Sequence, residues 1–268
     1  MIVISSSLAL SDSDVTLDHP IVGWDNRVTT GNIAATASHA DYPVTNLANQ
    51  ATHLRWQGTG TGTQYITHTT GGADPYDFVG IAKHNWGDAE ISVSIEGDDG
   101  GGYDELVSAV IPGDNAPLLF RFTETSLSAL RIKLAGASAI PQAAVVFMGK
   151  LLVLPRKIWQ DHTPIVFGRK QTVISGRSES GNFLGGISTA SWNEGRIKTS
   201  LIEPADYRED IDAWMRAAVF DQQTFFFGWR PQTYPNDIGY CWATNDAQPK
   251  NSTGHGLTEF DMQIAGIV

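Results

Sequence analysis

Seven histidines, at positions 19, 39, 53, 68, 84, 162 and 255, are the first places to look for acid–base or metal chemistry in this chain. None falls in an HxH or HExxH pair, so zinc-ligand spacing is absent. No GxGxxG unit joins a strand to a helix, no P-loop occurs, and no GxSxG elbow offers a nucleophilic serine. The many carboxylates leave room for a glycosidase pair, but no two stand out by position. Asp12 and Asp14 form an Asp-x-Asp pair. Calcium needs six or more oxygens from a shaped loop, so a solvated turn is the expectation there. Gly97–Gly102 lacks the lysine and the following helix of a phosphate cradle and reads as a hairpin. The expectation is a non-enzymatic protein with no catalytic residues, no metal and no cofactor.

Recognition chemistry is better represented. A sugar needs an aromatic face for its C–H surface and fixed planar partners for its hydroxyls. Two clusters have those types: His53, Arg55 and Trp56, and His84, Asn85 and Trp86. Trp56 reads as core with Arg55 on the rim, which leaves Arg55, His84, Asn85 and Trp86 as candidate glycan contacts. A third cluster, Trp229, Arg230 and Tyr234, follows the apolar run Phe225-Phe226-Phe227. Aromatic and arginine residues are enriched at protein interfaces. Phe225, Phe227, Trp229, Arg230 and Tyr234 are therefore candidate subunit contacts.

Charge narrows the partners. The 268 residues carry a formal charge of -11, with 18 basic and 29 acidic residues. Residues 1–150 hold 7 basic and 16 acidic residues, and residues 151–268 hold 11 and 13. The acidity thus sits in the first half, which suggests two parts with different surfaces. No basic cluster is available to neutralise phosphates, so nucleic acid and anionic membrane are poor partners. The N-terminal run Ile2-Val3-Ile4 is too short to span a bilayer, and no basic residue precedes Arg27 as a signal peptide would require. The single cysteine, Cys241, sits in an apolar run and reads as a buried inert thiol. Asn251-Ser252-Thr253 matches a glycosylation sequon and is read as chance.

The elements that position these residues are short strands. Residues 1–19 read as an N-terminal arm. Ile21–Trp24, Ile33–Ala37, Gln64–Thr67 and Phe78–Ile81 follow as strands. In Glu90–Glu96, Ile91, Val93 and Ile95 alternate with Ser92, Ser94 and Glu96, the period-2 pattern of a half-buried strand. Leu106–Ile111, Leu118–Thr123, Ala129–Leu134 and Ala144–Leu154 complete the series. Short strands at this spacing, with no helix between them, predict an antiparallel sandwich over residues 20–153.

The order of motifs sharpens this expectation. Asn46-Leu47, Arg55-Trp56, Val79-Gly80-Ile81, the alternating Ile91–Asp99 and Arg131–Leu134 occur in the order found in discoidin-like, galactose-binding-like domains. The segment resembles that family, which implies a jelly-roll β-sandwich. It departs from secreted members in lacking their flanking disulfide pair.

Beyond Leu154-Pro155 the charge balance changes, marking a second domain over 154–268. Gly176–Gly186 reads as a Gly/Ser-rich loop. Ser188–Trp192 and Arg196–Leu201 read as a hairpin across Asn193-Glu194-Gly195. A helix is predicted over 204–219: Pro204 suits the first turn, acidic residues follow it, and Tyr207, Ile211, Trp214, Met215 and Ala218 make one apolar stripe. Thr224–Trp229 must then be a buried strand or an interface, with final strands at Tyr240–Ala243 and Thr258–Ile267. Strands, one helix, an aromatic strand and closing strands resemble the tail-organising, distal-tail domain of long-tailed bacteriophages, a small β-barrel-like unit. That resemblance implies a virion structural protein of the tail tip, made in the host cytoplasm. It also implies a homo-oligomer, trimer or hexamer, contacting other phage tail proteins and, through the sandwich, host surface glycans. The alternative is a bacterial carbohydrate-binding module protein.

Overall fold

The computed structural model describes residues 1–10, 15–72, 74–251 and 256–268. Asp12, Asp14 and the Ser252-Thr253 part of the sequon lie outside them. The protein is mainly β, with two packed sheets in the first half and one large sheet in the second.

The sandwich pairs a five-stranded sheet with a four-stranded one. The first runs in the order Ile33–Ala35, Gln64–Thr69, Ala129–Ala135, Ser92–Asp98 and Tyr103–Val110, all antiparallel. The second runs Ile2–Ile4, Leu118–Ser126, Pro75–Ala82 and Val145–Gly149. Ile2–Ile4 joins it parallel to Leu118–Ser126, so these residues are a strand of the sandwich rather than part of a free arm. Ile66, Val93, Ile95, Ile132, Phe120 and Trp56 fill the space between the sheets. Alternation explains the choice: every second residue of a strand faces the partner sheet.

The second half forms an eight-stranded sheet that is open rather than closed into a barrel. Its order is Leu152–Val153, Ile21–Gly23, Phe225–Gly228, Ile238–Ala243, Thr258–Ile267, Phe183–Ile202 and Arg169–Arg177, with Lys250–Asn251 on the side of Thr258–Ile267. Ile21–Gly23 pairs with Phe226–Gly228, and Leu152–Val153 pairs with Ile21–Val22. Both ends of the 20–153 segment therefore belong to this sheet, and the sandwich proper lies between them. Residues 204–219 are helical throughout, with a wide π turn at Tyr207–Ile211 between Pro204–Asp206 and Asp212–Val219.

The Phe225-Phe226-Phe227 triple shows how the halves join. Phe225 and Phe227 face the helix and pack with Ile211, Trp214, Phe260 and Met262. Phe226 points the opposite way, into a core shared with Phe78, Phe147 and Tyr240 of the two halves. A strand that is apolar at three successive positions needs a core on each face, and this one has both. Phe225 and Phe227 are thus interior side chains, not subunit contacts. Gly80 makes room for the join: a Cβ there would lie 2.6 Å from the Phe226 ring.

One segment departs furthest from the sequence expectation. Phe183–Ile202 is a single strand that runs through Asn193-Glu194-Gly195 without turning. The turn lies earlier, at Ser178–Asn182, where Ser178 and Asn182 exchange backbone and side-chain hydrogen bonds and Gly181 adopts φ +83°. Gly176–Gly186 is therefore the end of a β-ribbon, not a loop.

Candidate functional site

The ribbon is the feature that the protein's own interior leaves unused. Arg169–Arg177 pairs with the first part of Phe183–Ile202, with Ile174 opposite Ile187 and Gly176 opposite Gly185. The neighbouring strand Thr258–Ile267 begins its pairing only at Asn193. From Ser191 outwards the ribbon has no third strand and no core among the described residues, and all of it is exposed except half-buried Ser178. At about 3.3 Å per residue, Arg169–Arg177 reaches roughly 30 Å.

Its side chains are not those of a solvated hairpin. Ile174 is 66% exposed, Ile187 71%, Phe183 70%, and Val173 and Leu184 are exposed as well. They occupy both faces. A Cβ at Gly186 would lie 3.2 Å from Val173 and 3.7 Å from Phe183, and one at Gly176 would lie 3.7 Å from Leu184. An isolated two-stranded hairpin is marginal in water, and contiguous exposed apolar surface marks an interaction site. The base, by contrast, is tied down by side-chain contacts. Asn193 donates to the Ile165 carbonyl (2.9 Å), Trp192 Nε1 donates to Glu194 (2.8 Å), and Lys170 pairs with Glu194 (3.4 Å). Three basic residues (Arg169, Lys170, Arg177) against one acidic (Glu179) make the ribbon positive on a chain of net charge -11.

The structure brings Trp229, Arg230 and Tyr234 together. Trp229 and Tyr234 stack with centroids 5.3 Å apart and planes 11° apart. The Arg230 guanidinium lies 5.7 and 5.6 Å from these rings and 5.2 Å from the ring of Trp159. Asp18 anchors it: its carboxylate takes bonds from Arg230 (3.2 Å), the Thr233 amide (2.9 Å) and the Thr233 hydroxyl (2.6 Å). Burial works to raise the Asp18 pKa, but the Thr233 and Arg230 contacts outweigh it and hold the carboxyl below its usual range. His162 completes the cluster, 5.2 Å from Trp229, with its pKa pushed down by burial. Trp159 is 73% exposed, and in the sequence a lone tryptophan between Ile158 and Gln160 carries no pattern that marks it as part of a site.

The candidate glycan cluster His84-Asn85-Trp86 is structural instead. Trp86 is fully buried in the sandwich and offers no face to a sugar. His84 Nε2 bonds the Ala116 carbonyl (2.8 Å), and its Nδ1 accepts from the Trp86 amide (3.1 Å). Burial drives the His84 pKa down to about 4. Asn85 donates to the Ile140 carbonyl (2.9 Å) and accepts from the Gln142 amide (2.8 Å). These planar groups satisfy loop backbone, which costs free energy if buried unpaired. Arg55 alone stays exposed, with its guanidinium 4.4 Å above the Tyr42 ring, and His39 lies 5.4 Å from that ring.

Among the described residues, no three His, Cys, Asp or Glu side chains are placed to hold a metal ion. No helix there is long and apolar enough to cross a membrane. Cys241 is buried, and burial raises its thiol pKa well above the usual value, so it is unreactive at neutral pH.

No protein-family model and no curated protein sequence matches this chain. Among solved structures it is similar to chitosan-binding module 1 of a chitosanase/glucanase from Paenibacillus sp. IK-5, at 13% identity and a TM-score of 0.41. That match covers 47% of this chain and 98% of the module. A CBM32 module from Clostridium perfringens, in complex with GalNAc-β-1,3-galactose, matches at 14% identity and a TM-score of 0.40, covering 45% and 97%. The CBM32 of AlyQ, in complex with 4,5-unsaturated mannuronic acid, matches at 27% identity and a TM-score of 0.37, covering 47% and 95%. Each likeness is confined to less than half of this chain.

Proposed function

We propose that this chain is a non-enzymatic assembly protein, a structural component of a bacteriophage tail tip, that joins copies of itself into a trimeric or hexameric ring. The observation that carries the reading is the ribbon, apolar on both faces and outside any core of its own chain. Burying one such side chain is worth about 1.5–3 kcal/mol. Five of them on one projection are a large driving force for association. The tail-tip part of the reading rests on the resemblance of this order of elements, strands, one helix, an aromatic strand and closing strands, to the tail-organising domain. In this reading the sandwich faces outward, available to host glycans or neighbouring tail proteins, and the virion is its location. Light scattering and negative-stain microscopy of the purified chain test it. Rings of threefold or sixfold symmetry are expected. A monodisperse monomer at high concentration would sink the reading.

A second reading, a bacterial carbohydrate-binding module protein, is favoured by the Tyr42–Arg55 pair. An aromatic ring with a guanidinium above it and an imidazole beside it, on the sandwich surface, has the types that hold a sugar. Specific binding on a glycan array, lost in Arg55→Ala, by a chain that stays monomeric would favour it over the first.

A further inference from the structure

We propose that the tip of the ribbon of one copy seats in the cleft beside Trp159 of the next, so that copies join head to tail. This rests on the assembly reading above and names the surface that receives the ribbon.

The receiving cleft, about 860 Å3, lies between Pro155–Gln160 and the stretch from Lys198 to Asp206. Two large apolar side chains stand out into solvent there: Trp159, and Leu201 at 50% exposure. The second is held out by the backbone. The pairing with Thr258–Ile267 shifts between Thr199 and Ile202, and Leu201 adopts φ +62°. A non-glycine residue in that region costs roughly 1–2 kcal/mol, and bulges serve to re-aim side chains. Here the bulge turns a leucine away from its own core. On the same wall the Thr199 hydroxyl is buried without a hydrogen-bond partner. Trp159 is steadied by the Arg230 guanidinium, itself fixed by Asp18.

The ribbon tip matches the cleft in chemistry. It carries Phe183 and Leu184, with Arg177 on one strand and Glu179 in the turn. The cleft offers apolar Trp159 and Leu201, with Arg156 and Lys157 on one wall and Glu203 and Asp206 on the other. Lys198 is already paired with Asp161 at 2.8 Å. Arg177 would face the acidic wall and Glu179 the basic one. Trp159 and Leu201 in the cleft and Phe183 and Leu184 at the tip are all exposed, so no described residue of the same chain covers either surface. Donor and acceptor are different surfaces, so the contact is heterologous. Repeated, it closes into a ring or extends as a filament.

A mixing experiment tests this. One variant silences the tip, Phe183→Ser with Leu184→Ser. The other silences the cleft, Trp159→Ala with Glu203→Arg. Each alone should self-associate at least tenfold more weakly than the unaltered chain by sedimentation velocity, with circular dichroism and Tm retained. Mixed in equal amounts, they should form a 1:1 heterodimer and stop there, because only one good joint can form. Arg177→Glu should weaken assembly, and adding Glu203→Arg in the same chain should restore it in part. These charge changes on exposed residues keep the test decisive if the apolar variants misfold. An unaltered chain that assembles while the cleft variant assembles equally well would overturn this inference and leave the assembly reading standing. An unaltered chain that stays monomeric would overturn both.

Discussion

Phe226 of the large sheet meets Phe147 of the sandwich edge to face, with ring centroids 5.5 Å apart. Tyr240 closes the group, 5.1 Å from Phe226 and 5.9 Å from Phe147. The Tyr240 hydroxyl donates to the Gln50 carbonyl (2.7 Å) and pairs with Thr224 (2.7 Å), so the contact is fixed by hydrogen bonds as well as packing. The two halves share a core here rather than being tethered by a linker.

Unfolding should therefore occur in one transition. Phe226→Ala removes a fully buried ring and is expected to cost about 3–5 kcal/mol. Calorimetry checks this. The unaltered chain should give one peak, and the variant should separate the two halves or lower Tm for both together. Two independent peaks in the unaltered chain would contradict the shared core.

Asp77 gives the stability a pH signature. Its side chain is buried and accepts from the Leu151 amide at 2.7 Å. Burial raises its pKa to about 7, against the help of that bond and of Arg121. A carboxyl raised in the folded state binds more protons folded than unfolded between pH 4 and 7, so its contribution is present at low pH and lost as pH rises through about 7. Buried His68 and His84, both lowered to about 4, act oppositely: their contribution is present above pH 6.5 and lost as pH falls towards 4. Asp77→Asn keeps the acceptor and removes the titration. Its stability relative to the unaltered chain should climb by a few kcal/mol from pH 4 to pH 7.5 in denaturant melts. A flat difference would show that Asp77 does not titrate there.

Trp86 and Arg55 separate structure from recognition. Trp86→Ala should destabilise by about 3–5 kcal/mol, and any loss of glycan binding in it would follow from unfolding. Arg55→Ala should change stability by no more than about 0.5 kcal/mol, since the side chain is exposed. Glycan binding that survives Arg55→Ala would remove the Tyr42–Arg55 surface from consideration.

The Asp18 anchor should be visible in fluorescence. Asp18→Ala frees Arg230, and Trp159 loses the guanidinium beside it. A red-shifted emission and a more quenchable tryptophan are expected with little change in far-UV circular dichroism. An unchanged spectrum would mean that Arg230 does not order Trp159.

The sequence carried the strands well where one face is buried. Val93 and Ile95, and Leu130, Ile132 and Leu134, alternate because one side of their sheet faces the apolar core and the other carries polar side chains, with Glu96 covered and paired by Arg131 and Lys133. The helix was equally legible, because Ile211, Trp214, Met215 and Ala218 form one stripe. The glycan triplet misled because His84, Asn85 and Trp86 are used by loop backbone from Ala116, Ile140 and Gln142, which no local pattern announces. Phe225 and Phe227 misled because an apolar run fits a two-sided core as well as an interface. The ribbon was hidden by its glycines. Gly176, Gly181, Gly185 and Gly186 read as loop, although Ile174, Phe183, Leu184 and Ile187 among them were a signal that a solvated loop has no reason to carry.

The central claim is that the ribbon exists to be covered by another molecule of the same chain. Replacing Val173, Ile174, Phe183, Leu184 and Ile187 by serine or threonine leaves every cluster of buried residues intact. Sedimentation velocity over a hundredfold concentration range, on the unaltered chain and this variant, is the direct measurement. The account expects a discrete oligomer for the first and a monomer of unchanged Tm for the second. The same sedimentation coefficient for both, at every concentration, would contradict it.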